Sequence, residues 1–270
     1  MKEEFFIKQI NSKYIGDDGA VIENRIIASD SFFEGIHFKR EWMSLKEIAI
    51  KASLVNLSDI IVMNAKPKYA ILNVAFPKSY SLKEIKELAS GFNECAKKYN
   101  YEIIGGDTIE NDKLAISMTF IGESKKPIFR KAKIDEFVAF TGELGSVKKD
   151  LLKLLRGKKV SKNSKFIRPI LRDKFFYKAF KYITSALDIS DGLFKELERL
   201  SKASNLSFKF LKKIDKSIGC SGEEYEILFT FNKKYLPNIL NIGKITKTKI
   251  NIFAITTRGK FKSICKQNHF

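Results

Sequence analysis

The tightest constraint in this chain is an acid in an apolar place. Ser44 and Glu47 form a capping box ahead of a predicted helix over 45–63, and Ile48, Ala52 and Val55 mark its apolar stripe. One further i+4 step along that stripe is Asp59. An ionised carboxylate facing a core is costly unless a cation or several donors meet it. A fold that buries this helix must therefore bring counter-charge to one point.

Other acids repeat the placement. Asp17 and Asp18 follow Gly16, and Asp30 ends a predicted strand over 25–30. Asp107 closes the turn Gly105-Gly106-Asp107 directly after an apolar strand over 101–104. Asp188, Ser190 and Asp191 cluster where a predicted strand over 185–188 passes into a helix over 192–203, and Gly222-Glu223-Glu224 opens an apolar strand over 224–231. Singly, each is an ordinary turn residue, and Ser190 or Asp191 suits a helix N-cap. Asp188 precedes the cap region, so capping does not account for it.

With only His37 and His269 in the chain, an imidazole-based metal site is excluded. The acids point to hard divalent cations such as magnesium held by oxygen, and hence to phosphoryl transfer from a nucleotide. The G-x-x-x-x-G-K-[ST] loop, the H-R-D and D-F-G signatures and H-E-x-x-H are all missing, so the nucleotide site belongs to another architecture.

Further strands are predicted over 69–76, 114–121, 137–141 and 250–256. A second capping box, Ser81 with Glu84, opens a helix, and a basic helix follows the turn Gly142–Gly145. The first half reads β-α-β-α-β-β, giving an α/β (α+β) class with helices packed on sheets and two domains, 1–124 and 125–270. Hydrophobic residues make up 44% of 270, enough for a sizeable core. A net charge of +19 raises nucleic-acid binding, but the lysine pairs are spread along the chain without an RNA-binding signature or zinc finger. They read as solvated faces suited to a polyanionic small substrate, with no nucleic-acid partner. No apolar run reaches the ~18 residues of a membrane helix and Met1-Lys2-Glu3-Glu4 carries acids, so no membrane and a cytoplasmic location are expected. Cys95, Cys220 and Cys265 lack C-x-x-C spacing and read as reduced thiols.

Taken in order, six blocks form one pattern: Gly16-Asp17-Asp18; Ser29-Asp30 with Glu34-Gly35-Ile36-His37-Phe38; Val55-Asn56-Leu57-Ser58-Asp59-Ile60; Gly105-Gly106-Asp107-Thr108; Asp188-Ile189-Ser190-Asp191-Gly192-Leu193; and Gly222-Glu223-Glu224-Tyr225-Glu226-Ile227-Leu228-Phe229. The pattern resembles the thiamine-monophosphate kinase family, in the superfamily of aminoimidazole ribonucleotide synthetase and selenophosphate synthetase. It covers residues 14–231, with a trace at Lys266–Phe270.

The resemblance implies a two-domain fold whose N-terminal sheet pairs across a homodimer, with ATP and thiamine monophosphate bound between the halves. Several Mg2+ ions would sit on Asp18, Ser29, Asp30, Asp59, Asp107, Asp188 and Asp191. ATP would meet Gly106, Asp107, Arg130 and Ser190, and thiamine monophosphate would meet His37, Glu223 and Phe270. The acceptor is a phosphate oxygen already deprotonated at neutral pH, so a direct in-line transfer without a general base is implied. Four positions depart from the family pattern: Ala28 where a hydroxyl often assists a metal, Glu110 where a base is common, Glu224 for the usual Asp, and Gln267 at the position of a stacking aromatic.

Overall fold

The computed structural model describes residues 2–265, with side chains from residue 5 onward. Phe270 and Gln267, assigned above to the thiamine ring, lie outside the described residues. The first half comprises α1 (Lys2–Gln9), β1 (Ala20–Ile22), β2 (Arg25–Phe33), α2 (Leu45–Val62), β3 (Lys66–Phe76), α3 (Leu82–Tyr99), β4 (Glu102–Gly105), β5 (Thr108–Glu110) and β6 (Ala115–Glu123). Its sheet runs β1-β2-β6-β3-β4, with β5 also pairing β3. The edge strands β4 and β5 lie parallel to β3, whereas β6 is antiparallel to both β2 and β3.

The second half comprises β7 (Glu136–Thr141), α4 (Ser146–Leu155), α5 (Asp173–Ala179), β8 (Ile183–Asp188), α6 (Leu193–Ser204), β9 (Leu206–Phe210), α7 (Lys216–Gly219), β10 (Ile227–Asn232), α8 (Leu236–Ile245) and β11 (Ile250–Arg258). Its sheet is antiparallel throughout, in the order β8-β10-β7-β11-β9. Among the described residues no helix is long and apolar enough to cross a membrane.

Both capping boxes form. Ser44 Oγ accepts from the Glu47 amide at 3.2 Å while Glu47 accepts from the Ser44 amide at 2.9 Å, and Ser81 and Glu84 repeat the exchange. Along β6 the side chains of Ile116, Met118 and Phe120 are buried and those of Ser117 and Thr119 are only partly covered. The first sheet thus has one packed and one open face. α2 lies on the packed face, and α3 packs on α2.

The predicted single stripe on α2 is corrected by the structure. Of its 18 residues only Lys46, Glu47 and Asp59 escape full burial, because the first sheet, α3 and β8 close on the helix from different sides. A helix surrounded by packing is apolar all round rather than on one face. One core runs through it, joining Ile26 and Phe120 of the first sheet to Phe229 and Phe231 of the second. A smaller core lies under α6, around Leu193, Leu197, Phe208 and Phe253.

Three local expectations also change. The strand placed at 224–231 begins only at Ile227, since Glu223 and Tyr225 take left-handed backbone angles that break the extended run. Neither Ser190 nor Asp191 caps α6; Gly192 holds that position without a side-chain bond. Cys220 and Cys265 form a disulfide, leaving buried Cys95 as the free thiol among the described residues. The two halves of that bridge are 45 residues apart, and they meet because the chain after β11 folds back beside Gly219, so local spacing carried no sign of it.

α3 approaches α2 most closely at Gly91, where an added Cβ would stand 2.4 Å from the Lys46 carbonyl oxygen and 2.7 Å from the Ala49 Cβ. Gly91→Ala should therefore cost about 1–3 kcal/mol of stability through overpacking. The expected result is a lower urea midpoint at unchanged slope; an unchanged midpoint would show that the helices have slack here.

Candidate active site

The two sheets face one another across a cleft of about 1100 Å³, with the C-terminal end of α2 at its floor. Asp18 comes from the loop before β1, Asp59 from the last turn of α2 and Asp188 from the end of β8. One carboxylate oxygen from each lies within 4.8 Å of the others. Asp30 and Asp191 border the same cleft. Five acids from four separate places in the chain thus meet where the halves join.

Local folding explains each position. Asp30 lies on β2 with Ile26, Ala28 and Phe32 on the face toward α2, and its amide donates to the Asn56 Oδ1 at 2.8 Å. Its neighbour Ser29 must project to the opposite, open face, where the hydroxyl meets the Met118 carbonyl at 3.1 Å and Thr119 Oγ1 at 2.9 Å. Ser29 borders the cleft. Asp188 is 3% exposed, with the Ser58 hydroxyl bonded to it.

The energetics are those of carboxylates that are buried first and crowded second. Burial pushes Asp59 and Asp188 well above the ordinary carboxylate range, and the negative charges of neighbouring aspartates add to it. Asp30 is raised to about 6, first by burial and then by Asp18 and Asp191. Two arginines answer part of this charge. The Arg130 guanidinium pairs with Asp18, and its amide donates to Asp17 Oδ2 at 3.0 Å. Arg199 pairs with Asp191 and lies 2.7 Å from Glu196. The donor set of Asp18, Asp59 and Asp188, all oxygen and partly shielded from water, suits a hard divalent cation.

His37, from the first half, and Glu223, from the second, both line the cleft. The His37 ring stacks on Phe32, 5.4 Å between centroids, and its Nδ1 accepts from the Phe33 amide at 2.9 Å. A neutral ring then carries its proton on Nε2. Glu223 accepts from Lys51 Nζ at 2.7 Å. Its neighbour Glu224 turns the other way, into the second half, where it accepts from the Gly145 amide at 2.6 Å and from Lys165 Nζ at 2.8 Å. The two adjacent acids divide into one at the cleft and one that pins the Gly142–Gly145 turn.

Gly106 and Asp107 stand apart from the others. They are exposed between β4 and β5, beyond β3, and do not line the cleft. The Asp107 amide donates to Asn73 Oδ1 at 2.9 Å, and its carboxylate accepts from the Thr108 amide at 2.8 Å. Ser190 and Arg130 do line it. Sequence reasoning missed Lys51, Asn56 and Arg199 as site residues. Glu196-x-x-Arg199, one helical turn after Asp191, was the available signal for Arg199. Nothing local marks Lys51, whose partner is 172 residues away.

Residues 16–124 match a family described as AIR synthase related protein, N-terminal domain. The thiamine-monophosphate kinase of Bacillus subtilis (strain 168) is 34% identical over 216 residues, 73% of this chain and 66% of that protein. That of Buchnera aphidicola subsp. Schizaphis graminum is 34% identical over 270 residues, 88% of this chain and 81% of that one. Among solved structures, one described as AaThiL complexed with AMPPCP and TMP superposes with a TM-score of 0.87 at 23% identity, covering 98% of this chain and 94% of that one. A HypE–HypF complex gives 0.81 at 17% identity, covering 98% and 99%. These structural likenesses are likenesses of fold.

Because burial first, and then the charges of Asp188, Asp30 and Asp18, disfavour an ionised Asp59, a neutral amide there should relieve that cost in the metal-free chain. The melting temperature of Asp59→Asn near neutral pH, measured in a chelator, is expected to equal or exceed that of the parent. A fall of several degrees would show instead that the carboxylate is a structural anchor.

Proposed function

The chain belongs to the thiamine-monophosphate kinase family, and from that premise we propose that it transfers the γ-phosphoryl group of ATP to thiamine monophosphate, giving thiamine diphosphate and ADP, the last step in making that product. The observation that carries this reading is the meeting of Asp18, Asp59 and Asp188 at the floor of a cleft between two sheets. Acids gathered at such cost are explained by a cation that the reaction needs.

Asp18, Asp30, Asp59, Asp188 and Asp191 would hold magnesium, joined by Ser29 and Asp107 on the family pattern. Bound there, the ions supply charge neutralisation for the phosphate oxygens of donor and acceptor. Arg130, already oriented by Asp17 and Asp18, is placed to meet phosphate oxygens as well. Ser190 borders the same space and would add a donor for the nucleotide. Lys148, Lys195 and Lys216 line the cleft around the acids, a basic setting suited to a polyphosphate.

The acceptor oxygen is ionised at neutral pH, so the protein does not have to remove a proton from it. His37 would donate from Nε2 to the acceptor rather than act as a base. Glu223 would receive the substrate's amino or cationic ring, with Phe270 as a further contact. The Gly106–Asp107 turn enters the nucleotide site on the family pattern alone, since it stands outside the cleft of a single chain.

Two wider features belong to the same reading. The open face of the first sheet presents Tyr69 and Phe33, 43% and 36% exposed, and supports a homodimer that pairs these sheets. The strands of the first sheet end at Glu123 and those of the second start at Glu136, in keeping with domains of 1–124 and 125–270; a cytoplasmic location belongs to the same proposal.

The test is coupled ADP release from purified chain with ATP and thiamine monophosphate. Release is expected only with both substrates and magnesium, with Asp59→Asn reduced by at least a hundredfold. Unphosphorylated thiamine should not replace the monophosphate. Turnover insensitive to a chelator, or none with the monophosphate, would contradict the proposal.

A further inference from the structure

Lys51, in the middle of the apolar helix α2, is the one wholly buried ammonium among the described residues. Its side chain is 0% exposed, flanked along α2 by Ile50 and Ala52. Nζ lies 4.0 Å from the Phe166 ring centroid and 5.6 Å from that of Phe32, so aromatic faces from both halves of the molecule hold it in place. Its charge goes to Glu223 Oε2 at 2.7 Å. Glu223 is the partner that reaches the cleft, at 17% exposure.

A buried ion pair contributes little stability compared with apolar side chains of the same volume, so packing alone gives no reason for a lysine here. Glu223 explains it. The residue takes a left-handed φ of 55°, and its amide donates to the Ser190 carbonyl at 2.6 Å, tying the 222–225 loop to the Asp188–Asp191 turn. Such a backbone persists only where its surroundings impose it. The Lys51 ammonium, bonded to one oxygen of the Glu223 carboxylate, fixes which way it points on a loop so constrained.

We propose that Lys51 is a positioning residue for the acceptor substrate: it reaches from α2 across the junction of the two halves, fixes the rotamer of Glu223 and holds its carboxylate in the cleft as an acceptor. The inference rests on the kinase reading above. A carboxylate held this way selects a substrate that brings an amino donor or a ring cation, and thiamine monophosphate carries both. Lys51 itself does not touch substrate; it acts through Glu223.

The experiment compares Lys51→Met, Glu223→Gln and the double variant in steady-state assays, with melting curves for each. Lys51→Met is expected to raise KM for thiamine monophosphate at least tenfold while KM for ATP stays within twofold. The double variant, which leaves no lone buried charge, should fold and match the acceptor KM of Glu223→Gln alone. If Lys51→Met does not fold, the double variant carries the comparison by itself. An unchanged acceptor KM in Lys51→Met, a rise shared equally by ATP, or a double variant tenfold worse than Glu223→Gln would each overturn the inference. A parent chain that turns over thiamine monophosphate separates those outcomes from failure of the kinase reading, which would remove this inference with it.

Discussion

This fold has to meet the cost of bringing carboxylates together, buried, at the end of α2, where Asp18, Asp59 and Asp188 place oxygens within 4.8 Å of one another. The helix beneath them is packed on nearly every side, and a single core passes through it from one sheet to the other. Arg130 and Arg199 reduce the repulsion from the flanks. Asp30, Asp59 and Asp188 are held by regular elements, β2, α2 and β8, while Asp18 is held on its loop by Arg130.

The same packing sets the division of labour between neighbouring residues. Ser29 and Asp30 go to opposite faces because they are consecutive on a strand. Glu223 and Glu224 part because left-handed angles on either side of Glu224 turn the chain, sending one acid to the cleft and the other to Gly145 and Lys165. Chemistry and scaffold are therefore interleaved at single-residue resolution, and a role assigned to a motif as a block would misplace half of its members.

Much of this was legible in the sequence where signals are local. The two capping boxes located the starts of α2 and α3, alternation over 69–76 located β3, and the strand placed at 114–121 is β6. Asp59 declared itself by interrupting an apolar helix, and Asp188 by lying before any cap. What stayed hidden depends on distant partners. The Lys51–Glu223 pair spans 172 residues and the Cys220–Cys265 bridge 45, and neither leaves a periodic trace. The short strand β9 and the helices α5, α7 and α8 were likewise unmarked, being held by packing more than by propensity. Asp107 carries a motif as clear as the others, yet it lies exposed between β4 and β5, outside the cleft.

The central claim is that the aspartate cluster is a cation site serving phosphate transfer. Crystals grown with manganese, a non-hydrolysable ATP analogue and thiamine monophosphate test it most directly through anomalous scattering. The expected result is manganese peaks bonded to carboxylate oxygens of Asp18, Asp59 and Asp188 and bridging to phosphate oxygens. Manganese bound elsewhere, with Arg130 still paired to Asp18 and phosphates away from the aspartates, would contradict it.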